Sequence, residues 1–174
     1  MHGRMAGFPL SAEGKAQAKK IALVLKTKPI SAIYSSRLTR AKETAEIIAD
    51  TFKLPVWYDE RLLDIRSPLQ GKPNAYVNSL NSYFYHPAFI AAGGERLETV
   101  FDRMDHFMRQ KAADHPNEHI VVVSHGDGIM SIATRYAGKP LPKCFPYDKT
   151  YVAQARGLMI EYTVGAPKQK IVSI

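Results

Sequence analysis

The chain has 174 residues, 45% hydrophobic and 23% charged, which is enough apolar material for one core and too much for a disordered chain. Its net charge of +8 suits an anionic partner, but Lys and Arg are scattered with no nucleic-acid motif beside them, so the excess favours phosphate esters over nucleic acid. A single cysteine, Cys144, excludes an intramolecular disulfide and a cysteine-rich metal site, no apolar run approaches bilayer length, and the first residues lack the apolar stretch of a secretory leader; the expectation is a reduced cytoplasmic protein with no membrane span, metal or cofactor.

Ser11 can cap a first helix whose apolar side is supplied by Ala16, Ile21, Leu23, Val24 and Leu25. Ser31 to Ser35 reads as a short buried strand. Leu38 to Phe52 returns to helical spacing through Ala41, Thr44, Ala45, Ile48 and Phe52, and Pro55 to Tyr58 is another short strand. Residues 66–94 differ: Pro68, Gly71, Pro73, Pro87 and Gly93-Gly94 interrupt them, while Tyr76, Tyr83, Phe84, Tyr85 and Phe89 make them aromatic. An irregular insertion of this length is either a lid or a small aromatic cluster laid on the core.

Glu95 to Ala113 is the strongest helix, with Leu97, Val100, Phe101, Met104, Phe107 and Met108 at three- and four-residue steps. Its first residue, Glu95, is expected to cap it. His119 to Ser124 is a strand that leads through His125-Gly126-Asp127 into a further helix. Two or three short strands are expected in the tail, at Thr150 to Ala155, Leu158 to Thr163 and Lys170 to Ser173. Alternation of helix and strand predicts one α/β domain spanning 1–174, three layers with a mostly parallel sheet between helices, and a ligand site at the carboxyl ends of the strands.

Two of those strand ends concentrate the chemistry. At Tyr34-Ser35-Ser36-Arg37-Leu38-Thr39-Arg40 a strand enters a helix whose first turn presents a guanidinium beside free amides, a combination able to grip a phosphate with two oxygens at once. Taken alone, an arginine in a first helical turn such as Arg40 is more often a solvated surface residue. At Val123-Ser124-His125-Gly126 a histidine stands at the tip of a buried strand, followed by glycine and a helix start, where His125 and the Gly126 amide can approach an anion. Taken alone, a histidine such as His125 is more often a helix-capping or core-satisfied residue. The other histidines have no metal-ligand spacing with a partner.

Together the two segments are specific. SSRLTRAKETAE and VVVSHGDGI, with ERLLDI and GGERLETVFDR between them and HGRMAGFPLSAEGKAQA before them, resemble the histidine phosphatase superfamily, which includes phosphoglycerate mutases and phosphomonoesterases. The resemblance implies a phosphoglycerate-mutase-like fold, a phosphatase acting on phosphate monoesters through a phosphohistidine, and residues 66–94 as cap or lid. Mutase activity is the less favoured variant. It assigns Arg40 to the transferred phosphoryl group, His125 to a phosphoryl oxygen with the Gly126 amide beside it, and the leaving-group acid to Asp64, one methylene shorter than the family's usual glutamate; Glu60 is a distant second.

The family's nucleophile is a histidine in an Arg-His-Gly that ends a first central strand, and no Arg-His-Gly occurs in these 174 residues. Met1-His2-Gly3 is only superficially similar: no strand precedes His2, the arginine is absent, and the distance to Pro9-Leu10-Ser11 is too short. Three expectations follow. The chain is an impaired phosphatase, or else an inactive relic serving as an anion-binding or interaction module. Its partner is a small phosphorylated compound or inorganic phosphate. A gap opens between the strands ending at Ser35 and Ser124, to be filled by a second copy in a homodimer, closed up or split.

Overall fold

The computed structural model describes residues 1–80, 85–143, 145, 158–163 and 169–173. Its core is a parallel sheet in the order β2-β1-β3, formed by β1 (Ile30–Ser35), β2 (Val56–Tyr58) and β3 (His119–Val123). Successive β residues face opposite sides, and the two faces are covered by different helices. Ile33 and Val121 pack with α1 (Ala12–Leu25) and α2 (Thr39–Phe52). Tyr34 and Val122 turn the other way, onto α5 (Leu97–Asp114) and α6 (Gly126–Tyr136), through Met104, Phe107, Ile132 and Tyr136. These are the three expected layers. Among the described residues no helix is long and apolar enough to cross a membrane.

Ser11 caps α1, its side chain accepting from the Gly14 amide. The buried side of α1 is Ala18, Ala22 and Leu25, facing a helix that itself buries Ala41, Ala45 and Ala49. The small side chains let the two helices pack closely and turn Leu23 and Val24, expected in the core, out to solvent at 61% and 52% exposure. In α5 the expected stripe does become core, with Val100 and Phe107 fully buried.

Of the outcomes expected at the strands ending at Ser35 and Ser124 (filled, closed up or split), no described strand fills the space and the two pair directly. Tyr34 registers with Val122 and Ser35 with Val123, and the Ser36 amide extends the ladder by donating to the Val123 carbonyl at 3.0 Å. Parallel pairing already satisfies these groups, so nothing has to be inserted there. The sheet is divided elsewhere: β4 (Leu158–Glu161) and β5 (Lys170–Ser173) form a separate antiparallel pair, and no described strand lies on the second edge of β3. Residues 1–8 form no strand. The tail strand expected at Thr150 to Ala155, and Tyr83 and Phe84 of the aromatic insertion, lie outside the described residues.

Among its described residues the 66–94 segment carries two short helices, α3 (Asn74–Ser79) and α4 (Pro87–Ala91). Leu69 and Val77 form a small buried cluster with Met1, Leu80, Tyr85 and Phe89 against it. Its backbone is tied to the start of the chain, the Gly71 amide donating to the Met1 carbonyl at 3.0 Å and the Met1 amino group to the Lys72 carbonyl at 2.6 Å.

Candidate functional site

The parallel register brings the ends of β1 and β3 side by side, and the two sequence segments meet there. His125 follows β3 and is 7% exposed. Its Nε2 lies 2.8 Å from Ser36 Oγ and its Nδ1 is 3.2 Å from an Arg40 Nη2 donor. A guanidinium can only donate, so any hydrogen bond on this side needs an unprotonated Nδ1, with the ring proton on Nε2 towards Ser36. Burial, with Arg40, Arg103 and Arg4 nearby, pushes the His125 pKa down to about 3, so the ring is uncharged at neutral pH.

Arg40 lies in the first turn of α2. Its Nη2 donates to Asp64 Oδ2 at 2.7 Å and to the Gly3 carbonyl at 2.8 Å. Its other terminal nitrogen, Nη1, is buried and has no hydrogen-bond partner among the described residues. A charged donor left in that condition costs more than the ~1–3 kcal/mol of a neutral one, and it is the kind of group that an oxyanion satisfies.

Asp64 sits on the irregular stretch that follows a single 3₁₀ turn, Glu60–Leu62. Its Oδ1 accepts from the Ile65 amide at 2.9 Å. Burial raises its pKa above the ordinary carboxylate value; the Arg40 charge and the Ile65 amide pull the other way, and nearby Asp127 adds to the rise. The carboxyl is therefore better able to hold a proton than an exposed aspartate. Gly126 opens α6, whose N-cap residue, His125, makes no side-chain capping hydrogen bond, and its first-turn amides and dipole face the same end of the sheet. Two residues on, a Cβ at Gly128 would meet the Met104 sulfur of α5, so a larger residue there would force that side chain to shift.

The structure thus assembles Arg40, His125 and Asp64 with the α6 N-terminus beside them. It does not bring His2 to them: that ring is exposed and stacks on Phe8 with centroids 4.0 Å apart. Glu95 does not cap α5 with its side chain; the cap position is Arg96. Its carboxylate instead pairs with Arg4 at 2.9 Å and with Arg103 at 2.8 Å. Four participants escape the list drawn from sequence: Ser36, Arg4, Glu95 and Arg103. All four fall inside the quoted motif segments, Arg4 in the HGRMAGFPLSAEGKAQA stretch, but nothing local ties Arg4 to the Asp64 carbonyl sixty residues away that it touches.

A model of the histidine phosphatase superfamily (branch 1) matches residues 1–165. Phosphoserine phosphatase 1 of Hydrogenobacter thermophilus is 29% identical over 155 residues, an alignment covering 83% of this chain and 74% of that protein. Phosphoglycerate mutase-like protein 4 of Arabidopsis thaliana is 36% identical over 137 residues, or 72% of this chain and 59% of that one. Among solved structures, Bacillus stearothermophilus YhfR superposes with a TM-score of 0.84 at 24% identity, over 99% of this chain and 87% of its own, which is a likeness of fold. A mycobacterial glucosyl-3-phosphoglycerate phosphatase solved with inorganic phosphate gives 0.66 at 26% identity, over 80% and 74%.

Proposed function

Because the chain belongs to the histidine phosphatase superfamily (branch 1), we propose that it holds the phosphoryl group of a phosphate monoester, or free phosphate, against Arg40, His125 and the Gly126 amide. The observation that carries this reading is the buried, unpartnered Nη1 of Arg40, set beside the start of α6, which the His125 side chain does not cap. In the family's reaction a histidine nitrogen forms a bond to phosphorus while the ester P–O bond breaks. The leaving oxygen takes the electron pair and a proton, and water later hydrolyses the phosphohistidine. Asp64 is the candidate for that proton, supported by its contact with Arg40 and its raised pKa. Residues 66–94 are proposed as the lid over the site, on the strength of the Tyr85 hydroxyl donating at 2.7 Å to Asp127, the residue after Gly126.

We further propose that these 174 residues turn over poorly, since they contain no Arg-His-Gly and the exposed ring of His2 stacks on Phe8. The same observation favours the second reading, an anion-binding module without catalysis. Two measurements separate them. Phosphate titration followed by calorimetry should locate one site, weakened in Arg40→Ala by about 1.5–3 kcal/mol, the range for a hydrogen bond to a charged group; unchanged binding sinks the site assignment. Turnover of an aryl phosphate should be negligible for this chain and restored in one extended by an apolar strand ending in Arg-His-Gly. Robust turnover by the short chain, abolished in His2→Ala, would place the nucleophile at His2.

A further inference from the structure

The strand ends hold Arg40 and His125 through the sheet, but Asp64 has no such support. Residues 63–67 belong to no helix or strand, yet the carboxylate of Asp64 meets Arg40 at 2.7 Å. What holds this stretch is a set of charged groups drawn from distant parts of the chain. Arg4 Nε donates to the Asp64 carbonyl at 2.6 Å and Arg103 Nη2 to the same oxygen at 3.3 Å. Arg103 Nη1 also donates to the Arg61 carbonyl. Both guanidiniums are gathered by one carboxylate: Glu95 Oε2 accepts from Arg4 Nη2 and Arg103 Nη2, and Oε1 accepts from Arg103 Nε. Glu95 accepts from the Arg66 amide as well, at 3.1 Å, and its own amide donates to the Arg66 carbonyl at 2.8 Å.

We propose that Glu95 is a positioning residue, which through Arg4 and Arg103 fixes the backbone at Asp64 and so sets how the Asp64 carboxylate engages Arg40. The proposal rests on the reading of Arg40 and His125 as an anion site. With the side chain of Glu95 only 12% exposed, its charge-assisted hydrogen bonds are not screened away as surface pairs are. Planar guanidiniums suit the task because each can bridge a carboxylate and a carbonyl in a fixed geometry.

The held Asp64 carboxylate competes with an incoming anion for Arg40. Binding of inorganic sulfate, whose charge does not change near neutral pH, therefore reads the clamp. Glu95→Gln should tighten sulfate binding at least about fivefold, the lower end of ordinary coupling between sites. Asp64→Asn should tighten it too, and adding Glu95→Gln to Asp64→Asn should change nothing further. An equal effect of Glu95→Gln in both backgrounds, or none in either, would overturn the proposal, because a merely structural residue acts whether or not Asp64 carries its charge. If none of the four proteins binds sulfate, the anion-site reading fails by itself. The crystal structure of Glu95→Gln then decides the clamp: Asp64 withdrawn from Arg40 supports it, and an unmoved contact overturns it.

Discussion

The two halves of the candidate site are built in different ways. His125 and the helix carrying Arg40 stand on neighbouring parallel strands, and their separation follows from strand spacing and register. Asp64, Gly3 and the described part of the 66–94 segment are held by scattered side-chain hydrogen bonds and by a small cluster around Leu69 and Val77. The first half depends on cooperative core packing; the second can loosen while the core stays folded. On the function proposed above, the first half would grip phosphate in one fixed way and the second would be a more adjustable wall for the rest of a substrate.

The largest effect that could break this comparison is in the core. Phe107 is fully buried beneath Tyr34 of β1, with ring centroids 5.5 Å apart. Phe107→Ala should cost about 3–5 kcal/mol in urea unfolding, as for other buried aromatics. A loss below about 1 kcal/mol would mean that the β1–β3 frame is not the rigid half.

Acid should come next. The folded-state pKa of His125 is depressed from 6.5 to about 3. An unfolded chain therefore takes up a proton that the folded one refuses, and the stability it contributes, complete above pH 6.5, is lost as pH falls towards 3. From pH 7.5 to 4.5 this amounts to about 2–3 kcal/mol. The raised pKa of Asp64 has the opposite sign, since protonation of a buried carboxyl favours the folded state as pH drops. Asp64→Asn should therefore steepen the acid loss, and chemical denaturation at the two pH values measures both. A stability that rises on acidification would contradict the buried, neutral His125.

In the second half the expected changes are smaller. Tyr85→Phe removes the hydroxyl that links the insertion to Asp127 and should cost about 0.5–1.5 kcal/mol. Hydrogen exchange should quicken over residues 66–94 before it does so in β1 or β3; uniform acceleration would show that the insertion is part of the frame. The smallest effect belongs to His2. Exposed and stacked on Phe8, it should tolerate His2→Ala within about 0.5 kcal/mol in thermal unfolding, with phosphate affinity unchanged. A marked loss of affinity would bring the first residues into the site.

Much of the α/β alternation was legible in the residues themselves. The stripe on α5 and the apolar β3 segment are local patterns, and each matches a fixed helical or strand period. Arg40, Asp64 and His125 were legible through their motif segments, since each motif encodes a strand end or turn and the chemistry placed on it. One error and one open choice have a common cause. Leu23 and Val24 look like core in a one-dimensional pattern, but which side of a helix is buried depends on its neighbour, and here that neighbour offers alanines. Whether the sheet would be filled, closed up or split at the strands ending at Ser35 and Ser124 was a question of strand order, which no strand's own residues specify.

The sequence by itself determined the elements and the chemical groups at their ends, because propensity, capping and periodicity act over a few residues. Tertiary structure decided which of those groups meet. The direct pairing of β1 with β3, the buried orphan nitrogen on Arg40, and the gathering of Arg4 and Arg103 by Glu95 all join residues dozens of positions apart. Such contacts are selected by the packing of the whole core and by the cost of burying charge without a partner, and neither quantity exists until the chain has folded.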